Sequence, residues 1–451
     1  MALQTKKWME IRTALIVILL IGLSGRPADV QAQTSNTTTT QPQTLDPTTF
    51  VVMGEGLAAG MGNFGLSSVL QNQNFPSRVA AAMHTGFEQP LIQPPGIGDV
   101  VGYPGQEVQV QKYPQGSVRE VYFPTDPTKA PIQAPPLFVL NTSVPGLTLN
   151  DSVTMRPVLP VVHRDMKQTV FNMILGFPQL ILDQEVPLWT QFEYSKAMFP
   201  TVALIELGFY EALSAAVAGD PTTMPDPAAF GSTYSSVIAG FRGLQAQVIA
   251  TTIPNPIDTA YFNSIQASAA IAQTQPSVLT SLYQIDPQGY VTRNGLTTIS
   301  TNFTNKTAGT LPAGSTMSAA TAADLTNRVN ALNAQIISAA KANGAVVYDL
   351  NAFLHKIKVS GSATNAGIAL GDYLGGFYSL DAVYPGATGH ALIANDIISF
   401  LNSTYHRSFP LVDIKAVSAA DPAMQFKMPF SLAPNTRDAL STYSPEELII
   451  Q

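Results

Sequence analysis

The sequence predicts an α/β protein built on a central parallel sheet of about five strands flanked by helices. Two observations carry this. Short runs of β-forming apolar residues recur five times, at Phe50–Met53, Leu137–Leu140, Thr201–Glu206, Gln247–Ile253 and Ala345–Leu350, and helical periodicity separates most of them. Such alternation is the signature of strands joined by crossover helices, which give parallel sheets buried on both faces. The first run also stops abruptly, at Gly54-Glu55-Gly56-Leu57-Ala58-Ala59-Gly60. That pattern is a strand ending in a tight turn that opens a helix, and the carboxyl ends of strands are where such folds collect ligands.

Taken in order, the chain begins with Lys6, Lys7 and Arg12 ahead of an apolar run, Ala14 to Leu23, and then Val30-Gln31-Ala32. This is the pattern of a secretory signal peptide over residues 1–32, its apolar run too short to span a bilayer as a mature helix. Its removal takes four of the 23 basic and two of the 30 acidic residues, moving the net charge from −7 to −9. No basic run survives in the mature chain, which argues against nucleic acid as a partner. The chain has no cysteine, hence no disulfide, no thiolate metal site and no lipid-bearing cysteine. Charged residues make up 12%, about half the usual share. These features describe an exported bacterial protein, periplasmic or extracellular and not a lipoprotein, without a transmembrane segment in its mature form.

Residues 33–47 form a polar, low-complexity tether expected to be disordered. Phe75 to Met83 is a short helix entered through Pro76. Residues 85–136, rich in Pro, Gly and Gln, form a long insertion of the kind that builds lids or binding loops. Phe230, Tyr234, Val237, Phe241 and Leu244 stripe one face of a helix. Residues 257–316 read as loop. Ser318 caps a long helix striped by Leu325, Val329, Leu332, Ile336 and Ala340 and ended by Gly344. Asp381 to Gly389 is turn-like, Ala391 to Leu401 is a closing helix, and 405–451 is an extension packed along the outside.

Four stretches, in order, resemble the sequence blocks of the SGNH (GDSL) hydrolases across residues 48–404. Gly54-Glu55-Gly56-Leu57 stands where the family reads Gly-Asp-Ser-Leu. Asn141-Thr-Ser-Val-Pro-Gly146 resembles the second block, Leu207-Gly208-Phe209-Tyr210-Glu211 the third, and Asp381-Ala-Val-Tyr384-Pro385 the last, where the family reads Asp-x-x-His-Pro. The resemblance implies a flavodoxin-like three-layer fold and, in the family, ester hydrolysis by a serine whose proton a histidine takes. It also implies roles for particular positions. Asp381 (the acid) and Gly146 (the oxyanion glycine) are retained. The nucleophile position is Gly56, the oxyanion asparagine position is Tyr210 and the base position is Tyr384. Glycine has no nucleophilic atom, and a tyrosine with an ordinary pKa near 10 is a poor base at neutral pH.

The expectation is therefore a pseudoenzyme that binds an acyl- or sugar-ester-like ligand through Glu55, Gly56, Gly146, Tyr210, Glu211 and Tyr384. The alternatives are an active carboxylic-ester hydrolase with a non-standard catalytic set, and a cell-envelope structural or interaction protein. Glu55 and Glu211 can hold turns by accepting backbone N–H bonds, or can run acid–base chemistry as a pair. Tyr210 and Tyr384 can fill the space left at Gly56, or form an aromatic platform. His390 is read as packing or capping, Trp189 as core or lid packing, and Ser67 and Ser68 as surface or cap serines. The histidines lack metal-ligand spacing, so neither a metal nor a cofactor is expected.

Overall fold

A computed structural model describes residues 44–92 and 139–421, less 64, 160–165, 177–187, 308, 365–366, 370, 374 and 380, together with Met424. The expected signal peptide, most of the tether, the bulk of the 85–136 insertion and residues 425–451 lie outside the described residues. Residues 44–47, expected as part of the tether, are among the described ones: Leu45 is fully buried and the Arg407 guanidinium donates to its carbonyl.

The main sheet comprises β1 (Phe50–Gly54), β2 (Val202–Glu206), β3 (Gln247–Thr251) and β7 (Val346–Tyr348), side by side in that order and all parallel. Every residue of β1 and β2 is buried, as a sheet covered on both faces requires. Of the five expected strands, four are strands here. The segment expected as the fifth continues past Leu140 and runs along the free edge of β1. Val52 N–H donates to the Leu140 carbonyl, Thr142 N–H to Val52 and Val144 N–H to Gly54, at 2.8, 2.9 and 3.1 Å. It pairs in parallel with β1 only at the Val52–Asn141 bridge. Because the chain passes from β1 to this edge and then to β2 on the other side, the carboxyl end of β1 is a topological switch point.

Helices follow the turns. After β1 come α1 (Gly56–Ala59) and α2 (Phe75–Ala82), the latter capped by Asn74 and entered through Pro76. Then come α3 (Leu149–Thr154), α4 (Gln191–Ala197), α5 (Phe209–Ala218) and α6 (Pro227–Arg242). Phe230, Tyr234, Val237 and Phe241 form the buried stripe of α6, and Leu244 lies beyond its end. The stretch expected as loop, 257–316, contains an antiparallel sheet of β4 (Phe262–Ser264), β5 (Tyr290–Thr292) and β6 (Thr316–Met317), with helices at Ile265–Ile271, Pro276–Tyr283 and Arg293–Asn305. Strands of two or three residues are too short to display an alternating period. The long helix α7 (Ala319–Ala342) has Ser318 as its cap, accepting from Thr321 N–H. It packs on α6 and against β3 and β7. After β7 come α8 (Leu350–Ser360) and α9 (Ala387–Tyr405), which is longer at both ends than expected and packs on α2.

A buried amide network knits the region around the α1 turn and the edge segment. Asn74 Nδ2 donates to the carbonyls of Ala58 and Ala59 and to Gln89 Oε1, and Asn141 Nδ2 donates to Ala58 and to the same Gln89 oxygen. Gln89 in turn donates to the Gln71 carbonyl, and the Gln71 side chain to that of Pro90. Each donor thus finds an acceptor in a region closed to water, which is the condition for burying amides at no net cost.

Candidate functional site

β1 ends where its backbone has no room for a side chain. A Cβ on Gly54 would lie 2.7 Å from Ala58 Cβ, 2.9 Å from Ser143 Oγ and 3.0 Å from Glu206 Oε2. The turn that follows is held by carboxylates. Glu55 caps α1, its Oε1 accepting from Leu57 N–H at 2.9 Å. Glu206, paired with Gly54 in the parallel register, accepts through Oε2 from the N–H groups of Glu55 and Ala58, both at 3.2 Å. Glu211, in the first turn of α5, accepts from Leu149 N–H at 2.7 Å and thereby fixes the start of α3. Gly208, just before α5, adopts φ +107°, a conformation open to glycine, and its missing side chain leaves space for Ile253.

The position expected to carry a nucleophile is filled from across the chain. A Cβ on Gly56 would sit 2.7 Å from Cε1, Cζ and Oη of Tyr384. The Tyr384 ring is buried and packs edge-to-face on Phe209, at 6.3 Å between centroids. Its hydroxyl donates to Glu55 Oε2 over a long 3.4 Å. Asp381 Oδ1 accepts from the N–H groups of Val383 and Tyr384, both at 2.8 Å, so this carboxylate shapes the turn that presents the tyrosine. Gly146, at φ +77°, sits in the turn at 144–147. Among the predicted site residues, Glu55, Gly56 and Tyr384 meet directly. Glu211 reaches them through charge, and Tyr210 is the partly exposed member.

Electrostatically the site is a set of buried acids. Burial, the largest influence in each case, raises Glu55, drives Glu206 well above the usual carboxylate range, and lifts Glu211 to about 7. The negative charge of Glu55 adds to the rise at Glu206 and Glu211. Burial and the Glu55 carboxylate hold the Tyr384 phenol well above its ordinary range, so it stays a neutral donor. Residue 56 thus carries no side-chain atom, and the phenol beside it is neutral and packed. Among the described residues, no group of three or more His, Asp or Glu is placed to hold a metal ion.

His390 lies in the first turn of α9, fully buried, where it stacks on Phe75 and accepts from Phe75 N–H through Nδ1 at 3.3 Å. Desolvation pushes its pKa down to about 3. It packs and caps α2. Trp189 packs edge-on against Tyr194. Ser67 and Ser68 are buried rather than on the surface: Ser67 stands at the N-cap of the short helix Ser68–Gln71, without a side-chain capping bond, and Ser68 N–H donates to the Ile92 carbonyl at 2.6 Å.

Sequence reasoning missed Glu206, Gln191 and Ser143. Glu206 carried a signal, a charged residue closing an otherwise apolar strand. Gln191 bridges the edge segment to β1, its Nε2 donating to the carbonyls of Gly54 and Thr142 at 2.7 and 2.8 Å, and nothing in its local sequence marks it.

No protein-family model matches the sequence, and no curated protein matches it. Among solved structures, the chain is similar to LAE5, an α/β hydrolase enzyme from the metagenome of Lake Arreo, Spain, with 11% identity and a TM-score of 0.32, covering 80% of this chain and 97% of that one. A likeness of that size carries nothing about residues or chemistry. The fold stated from its own geometry is α/β, with a parallel sheet of four strands and flanking helices.

Proposed function

We propose that the chain is an exported protein of SGNH-hydrolase type that no longer hydrolyses esters. One observation carries the reading: the Tyr384 ring stands in the space that any side chain at position 56 would need. Nucleophile and base act as a unit, so replacement of both removes nearly all of the serine-dependent rate enhancement. The switch-point position of the crevice and the order of the four sequence blocks support the family assignment. On this reading Glu55, Glu206 and Glu211 hold turns, and Tyr384 is a plug. What ligand recognition survives, for an acyl or sugar ester, centres on Tyr210 and the rim around it.

The test is restoration. Purified protein and the triple variant Gly56→Ser, Tyr210→Asn, Tyr384→His are assayed on short-chain p-nitrophenyl esters and labelled with a fluorophosphonate. Labelling and turnover confined to the variant are expected. Turnover or labelling of the unmodified protein overturns the proposal, and points instead to an active hydrolase with a different catalytic set.

A further inference from the structure

Three carboxyl groups converge at the carboxyl ends of β1 and β2 from three separate elements. Glu55 comes from the turn after β1, Glu206 from the last position of β2 and Glu211 from the first turn of α5, with 0%, 1% and 8% of their surface exposed. The titratable groups whose charges act in the cluster are Tyr384 and Asp381 from the segment before α9, Tyr210 from α5, Tyr234 from α6 and Asp151 from α3. Every one is an acid, and Asp151 is itself paired with Lys167 Nζ at 2.8 Å. A second observation comes from the edge segment. Ser143 Oγ, on a residue 3% exposed, has no hydrogen-bond partner, and it borders the same face of Gly54 as Glu206 Oε2. Glu211 Oε2 is likewise buried without a partner. Both are buried polar atoms left unsatisfied beside the carboxyl cluster.

Ionised carboxylates in such a setting are opposed by desolvation and by one another. The backbone N–H groups that they bind favour the charged forms, but burial outweighs them at each glutamate. We propose that Glu55, Glu206 and Glu211 form a proton-held latch: while protonated they keep the α1 turn and the Tyr384 segment packed at the carboxyl end of β1, and their ionisation loosens these same elements and lets water in. The inference concerns closure alone and holds for an inert and an active protein alike.

The sign follows from linkage. A carboxyl whose pKa is raised in the closed form binds more protons there than in an open, hydrated form, so opening becomes easier as pH rises from about 4.5 toward the closed-state value. For Glu211 alone, lifted from 4.5 to about 7, opening is favoured on the order of 50- to 100-fold more at pH 8 than at pH 5. Glu55 and Glu206 act in the same direction.

Hydrogen exchange of the full protein, corrected for the intrinsic pH dependence of exchange, tests this. The amides of Glu55, Leu57, Ala58 and Leu149 donate to the latch carboxylates and report on it, while those of β3 serve as reference. Between pH 5 and 8, protection in the α1 turn is expected to fall at least tenfold more than in β3. Glu206→Gln and Glu211→Gln, which keep an acceptor oxygen but cannot ionise, are expected to retain protection at pH 8. Equal protection at both pH values, a parallel loss in β3, or variants that loosen like the parent overturn the proposal. So does failure of both variants to fold at pH 5, since there the amide replaces a neutral carboxyl of nearly the same shape.

Discussion

Gly56→Ala tests the packing on which the functional reading rests. The new methyl would meet Cε1, Cζ and the hydroxyl oxygen of Tyr384 at 2.7 Å, closer than such atoms pack. Forcing a methyl into a filled core costs about 1–3 kcal/mol. Replacing glycine in a helix returns roughly 0.5–1 kcal/mol through the unfolded chain. The net expectation is a loss of about 1–2 kcal/mol, read as a lower urea midpoint at unchanged slope. Tyr384→Ala alone, which empties the site, costs about 3–5 kcal/mol. In that background the methyl at position 56 has room, and Gly56→Ala then stabilises by roughly 0.5–1 kcal/mol. The cycle therefore carries a coupling of about 2–3 kcal/mol, well above the ~0.5 kcal/mol scatter of independent sites. If Gly56→Ala is neutral or stabilising in the parent, and the two changes add, the tyrosine does not occupy the space and the plug reading fails.

Two further outcomes follow from buried groups away from the crevice. His390 stays neutral in the folded state down to about pH 3, while the unfolded side chain takes a proton near 6.5, so this residue withdraws stability as pH falls through that window, by about 2 kcal/mol at pH 5. His390→Gln should flatten the acid limb of a stability–pH profile by that amount, and an unchanged limb would contradict the assignment. Lys358 is largely buried, and its Nζ donates to the carbonyls of Thr259, Phe262 and Gly371 and to Asp372 Oδ1. Desolvation lowers its pKa, though Asp372 opposes this. Lys358→Ala should cost about 2–4 kcal/mol in chemical denaturation by stranding those acceptors; a loss under half a kcal/mol would mean that water replaces the ammonium freely.

The main sheet was legible because its strands are apolar runs with sharp ends. Gly54 closes β1 where its sequence says a turn begins, and Ser318 and Gly344 bracket α7 as capping chemistry requires. The antiparallel sheet was not legible, since Phe262–Ser264 and Thr316–Met317 are too short to show a period and gain their pairing from tertiary contact. At the carboxyl end of β1, the resemblance singles out Gly56 and Tyr384, but not that one fills the place of the other. That contact joins residues 328 positions apart, and only the folded chain brings them together. Glu206 shows the same limit: its role depends on the parallel register that sets it opposite Gly54. Ser67 does stand at a helix N-cap, but the burial of Ser67 and Ser68 comes from tertiary packing that their local sequence does not show.

The Glu88 carbonyl accepts from both Leu140 N–H, at 2.9 Å, and Asn141 N–H, at 3.3 Å, while Ile92 N–H is held by the Gln71 side chain. Residue 92 and the chain from 139 onward are thus tied to one small set of groups, those of the buried amide network below β1. Closing a loop between fixed ends costs only about 0.6 kcal/mol for each doubling of its length. With both ends held by the same network, a change in the length of the connection between residues 92 and 139 costs the domain little, and the sheet beneath takes no part in it.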